Sequence, residues 1–132
     1  MAGALAINYE VPTRFARYTV ADGTAIPKNT ILQLTSPNTA SASSSDNEVC
    51  AGIAMYEKVI SDGTTEITAA LDGVWGLKTT AGAITIGNQV GINGLNEIKV
   101  YTSLDTEKGY TMGQALETIG ATATVIKVRL EL

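Results

Sequence analysis

An all-β fold, a small barrel or sandwich of short strands, is what this sequence predicts, and three observations lead there. Only 5% of the 132 residues are aromatic although 45% are hydrophobic, so the core has to be built from small and β-branched side chains, which suit a pleated sheet. Apolar and polar residues alternate with period two in one run after another, the mark of half-buried strands. Between the runs stand "ADGT", "SDGT", "LDG", "TAGA", "GNQ", "INGLNE" and "EKGY", each carrying the Gly, Asn or Asp that a tight turn needs. Strands spaced this closely close into a sandwich or barrel, and a chain of this length can bury one core.

The elements follow in order. "MAGALAINYEVP" is apolar but short and irregular, and Pro12 ends it. It reads as an extended N-terminal arm over residues 1–14, ahead of a β-domain over 15–132. The arm leaves Leu5, Ile7 and Tyr9 exposed unless the domain or a partner covers them. Strands are expected at Phe15–Val20, Ile31–Leu34, Val49–Tyr56, Glu66–Leu71, Val74–Lys78, Gln89–Ile92, Glu97–Tyr101 and Met112–Glu117. The clearest runs from Thr122 to Leu132, where Thr124, Ile126, Val128, Leu130 and Leu132 share one face and Lys127, Arg129 and Glu131 the other. Ser36 to Asn47 is a polar, low-complexity stretch read as a mobile exposed loop. "SLDTEKGYTMGQALETI" leaves room for a short helix.

The two halves repeat one another. Gly23, Ile26, Asn29 and Ile31, then Gly52, Ala54, Glu57, Gly63 and Ile67 to Leu71, are followed 57 to 61 residues later by Gly82, Ile86, Asn88 and Val90, then Gly113, Ala115, Glu117, Gly120 and Val125 to Leu130. The order of signals points to a pseudo-duplicated β unit. Gly52 and Gly113 then mark close backbone approaches or bulges rather than a phosphate loop.

Composition narrows the chemistry. With no histidine in the chain, the usual general base and the commonest transition-metal ligand are missing. The acids are scattered beside turn residues, and Glu57 and Glu117 recur at matching places with nothing to draw them into a catalytic pair. A formal net charge of −4 disfavours a nucleic-acid surface. Cys50 reads as a small buried apolar residue. No apolar run is long enough to span a membrane, and "MAGALAINYE" lacks the basic start of a secretory signal, so the expectation is synthesis without export. No enzyme, cofactor or metal centre is predicted.

The second half then resembles a known family. "ITAALDGVWGLKTTAGAITIGNQVGIN" through "YTMGQALETIGATATVIKVRLEL" is similar to the small phage capsid cement, or head decoration, proteins. The resemblance rests on Leu71, Gly73, Val74, Trp75 and Leu77, on Gly82, Ala83, Ile84 and Gly87, on Gly113 to Glu117, and on Ile126, Val128 and Leu130. It covers about residues 15–132, and the Ser36–Asn47 connection is longer than the family's usual one. It implies a structural virion protein that is made in the host cytoplasm and binds the outer surface of an icosahedral head as a homotrimer. The major capsid protein is the implied partner, and neither nucleic acid nor membrane is. The candidate capsid contacts are Leu5, Ile7, Tyr9, Arg14, Phe15 and Arg17, at the cationic end of the chain, which Lys127 and Arg129 would enlarge if the last strand lay beside Phe15–Val20. Trp75 is the candidate subunit-interface residue. The alternative is a small adhesin or tail-fibre-like domain that binds host glycans through Trp75 and the Ser-rich loop.

Overall fold

The alternation at the end of the chain builds the longest strand pairing among the described residues. Ile126, Val128 and Leu130 are buried while Lys127, Arg129 and Glu131 face solvent, so one strand places its apolar set on one side. A computed structural model describes residues 5–46, 48–79, 82–101, 108–120 and 124–132. The fold is all-β, as expected. Its strands are β1 (Ile7–Glu10), β2 (Phe15–Thr19), β3 (Ile31–Ser36), β4 (Thr39–Ala42), β5 (Cys50–Ala54) and β6 (Glu66–Ala70), then β7 (Asp72–Thr79), β8 (Gln89–Ile92), β9 (Ile98–Val100), β10 (Thr111–Ala115) and β11 (Thr124–Glu131). A 3₁₀ turn at Lys108–Tyr110 precedes β10; the rest of the stretch expected to allow a helix falls partly in 102–107, outside the described residues, as do residues 1–4, Asn47 and the first residues of the expected last strand.

The first half closes into a barrel, β2-β4-β3-β5-β6, and the second forms a six-stranded sheet, β1-β7-β11-β10-β8-β9. The two share one plan. In the barrel Arg17 pairs with Thr68, Leu32 with Ala42 and with Gly52; in the sheet Gly76 pairs with Lys127, Val90 with Val100 and with Gly113. A parallel contact of Thr19 with Thr39 closes the barrel, and a parallel bridge of Lys78 with Glu97 brings β9 back to β7 at the same step. Even the loops match: Ile26 bridges Lys58 as Ile84 bridges Ile119, and Asn29 N–H donates to Ala54 O as Gly87 N–H does to Ala115 O, both at 2.8 Å. A Cβ at Gly52, whose φ is 134°, would lie 2.5 Å from Ala70 O, and one at Gly113 would run into Arg129 O. The expected duplication is therefore built on two backbone crossings that only glycine allows.

Three readings need correction. The stretch from Ser36 is no loose loop: it turns at Asn38, in the left-handed region (φ 55°), and returns as β4, burying Ala40 and Ser43. Small Thr, Ala and Ser side chains fit a tight barrel wall without the bulk that marks a strand in a sequence. The arm is likewise a strand, β1, hydrogen-bonded to β7 with Ala6 buried. Its four side chains are all exposed, so no alternation announces it. Finally, the expected match of Glu57 with Glu117 slips by one residue: Lys58 corresponds to Ile119 and Ala54 to Ala115, which sets Glu57 against Thr118, and Glu117 accepts the Lys127 N–H at 2.8 Å.

Two core clusters follow from the plan. The barrel is filled by Val20, Ile26, Leu32, Ile67 and the alanines 40, 51, 54 and 69. The larger cluster holds Trp75, Leu77, Ile84, Ile92, Met112 and Ile126 of the sheet, and reaches into the barrel at Ile31, Ile53 and Ala70. Buried Asn96 ties the halves together, its Oδ1 accepting Ile31 N–H at 2.8 Å while its N–H donates to Ser43 Oγ at 3.0 Å.

Candidate functional site

β1 lies antiparallel on β7, with Ile7 opposite Gly76 and Glu10 opposite Val74. Gly76 leaves a gap that neighbours fill: a Cβ there would meet Tyr9 Cε2 at 2.8 Å, Val125 Cγ1 at 3.0 Å and Ile7 Cβ at 3.5 Å. The three side chains thus converge over one glycine on the outer side of the sheet. They stay open to water, with Ile7 48%, Tyr9 51% and Val125 39% exposed. Lys127 caps the group, its Nζ 4.9 Å from the Tyr9 ring centre, a cation–π contact. Leu5 and Val11, on either side of β1, are exposed as well. An apolar cluster of this kind, rimmed by a cation, is the composition of an interface centre.

The corner between β1 and β2 is fixed by Asp72. Its carboxylate accepts Thr13 Oγ1 at 2.6 Å, Thr13 N–H at 2.7 Å and Arg14 N–H at 3.1 Å. The Thr13 hydroxyl, then those backbone amides, hold the Asp72 carboxyl below the usual carboxylate range. Arg14 turns the other way and donates through Nη2 to Leu132 O. It lines an open cleft of about 430 Å³ with Glu10, Asp72, Arg129 and Glu131.

The structure therefore divides the six expected contact residues. Ile7 and Tyr9 join Val125 and Lys127 on the sheet, Leu5 stands exposed just before β1, Arg14 stands in the cleft with Arg129, and Phe15 and Arg17 lie on β2 of the barrel. The condition that the last strand lie beside β2 is not met by pairing: β2 pairs with β6 and, at Thr19, with β4. Lys127 and Arg129 reach the arm through β7 instead. Arg17 makes one wide contact with Glu66 at 3.8 Å between two exposed side chains, worth little on its own.

Trp75, expected at a subunit interface, is a core residue: it is 1% exposed within a single chain, and its Nε1 donates to Asp72 O at 3.0 Å. It presents no face to a second copy or to a sugar. Cys50 is buried as expected, and burial pushes its thiol up to about 12.

Lys58 was missed. Buried at 2% exposure, its Nζ donates to Asp22 Oδ1, Asp62 Oδ1 and Val59 O at 2.9 Å and to Asp22 O at 3.1 Å. Burial alone would depress the ammonium, but the hydrogen bonds and charges of Asp22 and Asp62 outweigh it and raise its pKa. Asp62 is held far below its ordinary value, first by Lys58 and then by Thr64 N–H. The signal lay in two turns already identified, "ADGT" and "SDGT", whose aspartates clasp one lysine.

Compared with known proteins, the chain matches a family model described as phage cement protein over residues 12–130. No curated protein matches it.

Proposed function

The chain belongs to the phage cement protein family, and from that premise we propose that it binds the outer surface of an icosahedral phage head, contacts the major capsid protein there and stabilises the shell. It works after synthesis in the host cytoplasm, as a homotrimer whose copies bridge neighbouring capsomers. The observation that carries this reading is the exposed group of Ile7, Tyr9 and Val125 gathered over Gly76 and capped by Lys127. A strand whose backbone is paired but whose side chains all face outward is held rigidly for a partner to cover. Modest contacts per copy suffice, because many copies engage one shell and each trimer engages several subunits. The exposed cations Lys127, beside Tyr9, and Arg17, on β2, favour the approach of a net negative protein to an acidic shell surface.

Sedimentation with undecorated, expanded heads tests the reading. The wild-type chain is expected to pellet with heads. Ile7→Ser with Tyr9→Ser, which spares the β1 backbone, should keep its thermal midpoint and lose about tenfold or more in head affinity. Arg14→Glu with Arg17→Glu should weaken binding most at low salt. A wild-type chain that stays in the supernatant at saturating heads overturns the function; unchanged affinity in the Ile7/Tyr9 variant overturns the surface assigned to it.

A further inference from the structure

The duplication exposes an asymmetry between equivalent strands. β7 corresponds to β2: Gly76 pairs with Lys127 where Arg17 pairs with Thr68, and Lys78 bridges Glu97 where Thr19 meets Thr39. Leu132 N–H donates to Leu71 O, so the odd-numbered residues of β7 turn their backbone toward β11. The even-numbered Val74 and Gly76 turn theirs the other way, where β1 occupies the edge. On β2, Leu71 N–H donates to Arg14 O and Thr65 O accepts from Val20 N–H. Arg14, Ala16, Tyr18 and Val20 therefore face β6, and Phe15 and Arg17 present their backbone groups outward. Thr19 N–H is taken by Asn38 O at 2.7 Å. Among the described residues nothing pairs with Phe15 or Arg17 on that side. Phe15 is 50% exposed and the Arg17 side chain 69%.

The vacant edge is thus the counterpart of one that this same chain fills with a strand. Open edges are unusual in stable soluble proteins because they template pairing. We infer that the Phe15–Arg17 edge of β2 accepts an extended acidic segment of the head-shell protein as an added antiparallel strand, an inference that rests on the function proposed above. β1 on β7 supplies the template: its Glu10 stands opposite Val74, the position of Phe15 on β2. A carboxylate placed there shares a face with Arg17, an exposed cation whose ion-pair contact is a wide one of 3.8 Å with Glu66. A second copy offering its own β2 would bring Arg17 toward Arg17, and a second copy offering β1 would strip it from β7 and forfeit the Asp72 clasp. A foreign strand adds hydrogen bonds without breaking any.

Arg17→Pro isolates the backbone. Its N–H points away from β6, so proline there removes no ladder bond of the barrel, as edge strands allow. Arg17→Lys keeps both charge and N–H. Head affinity is expected to fall about thirtyfold or more in Arg17→Pro and less than threefold in Arg17→Lys. Amide hydrogen exchange of the full wild-type chain gives a second readout that needs no variant: the Phe15 and Arg17 amides should exchange rapidly in the free protein and slow at least tenfold on heads. If the wild type binds heads yet these amides stay unprotected, or a still-folded Arg17→Pro binds like wild type, the inference falls while the function stands. Protection of the same amides by self-association without heads overturns it in favour of a second copy. Failure of the wild type to bind heads at all removes the function on which it rests.

Discussion

Ile26 bridges Lys58 in the barrel and Ile84 bridges Ile119 in the six-stranded sheet, the same step of the same plan with opposite chemistry. One half closes that step around a buried ammonium and two aspartates, the other around an aliphatic pair. The fillings differ as well, alanines in the barrel against Trp75, Met112 and Leu77 in the sheet. So do the borders, where β7 carries β1 and, among the described residues, β2 carries nothing along Phe15–Arg17. What the halves keep in common is backbone: turns, bulges and the two glycine crossings. Side chains inside and strands at the edge were free to diverge, and that is where the proposed contacts lie.

The largest effect should come from the filling. Trp75→Ala is expected to cost about 3–5 kcal/mol in chemical denaturation, since it empties the centre of the larger cluster, whereas the buried members of the barrel cluster are aliphatic. Next come the crossings. Gly52→Ala and Gly113→Ala should each cost about 2 kcal/mol, and by similar amounts; one tolerated and one not would break the equivalence drawn between the halves. Lys58→Met tests the divergent bridge. It strands Asp22 and Asp62 and should lower the thermal midpoint by on the order of 5 °C, against little change for Ile119→Val.

The smallest effects are those of pH. Asp62 and Asp72 have depressed pKa values in the fold, so their stabilisation is present above the unfolded value of about 3.9 and is lost as pH falls through the folded ones. Lys58 is raised, so its contribution holds below about 10.4 and fades above its folded value. With no histidine and Cys50 pushed up to about 12, a thermal midpoint followed from pH 6 to 8 should stay nearly flat, and a drop of many degrees inside that window would contradict this assignment of charges.

How much of this the sequence carried depended on where side chains point. β11 was legible because Ile126, Val128 and Leu130 alternate with Lys127, Arg129 and Glu131 and one face is buried. β4 was not, because Thr39, Ala40, Ser41 and Ala42 are small on both faces; β1 was not, because its side chains all face out. The repeat was visible through Gly52 and Gly113, whose constraint is steric and local, yet slipped by one residue at Glu57, where inserted residues shift the register. Of the contact candidates, Ile7 and Tyr9 proved to share one surface. The open edge at Phe15 and Arg17 had no side-chain signal at all, for strand pairing belongs to the backbone.

Electron cryo-microscopy of undecorated, expanded heads mixed with the full chain tests the central claim most directly. The account predicts added density on the outside of the shell, with the Ile7, Tyr9 and Val125 face turned toward it. Bare heads at saturating protein, or decorated heads with that face turned to solvent, would contradict it.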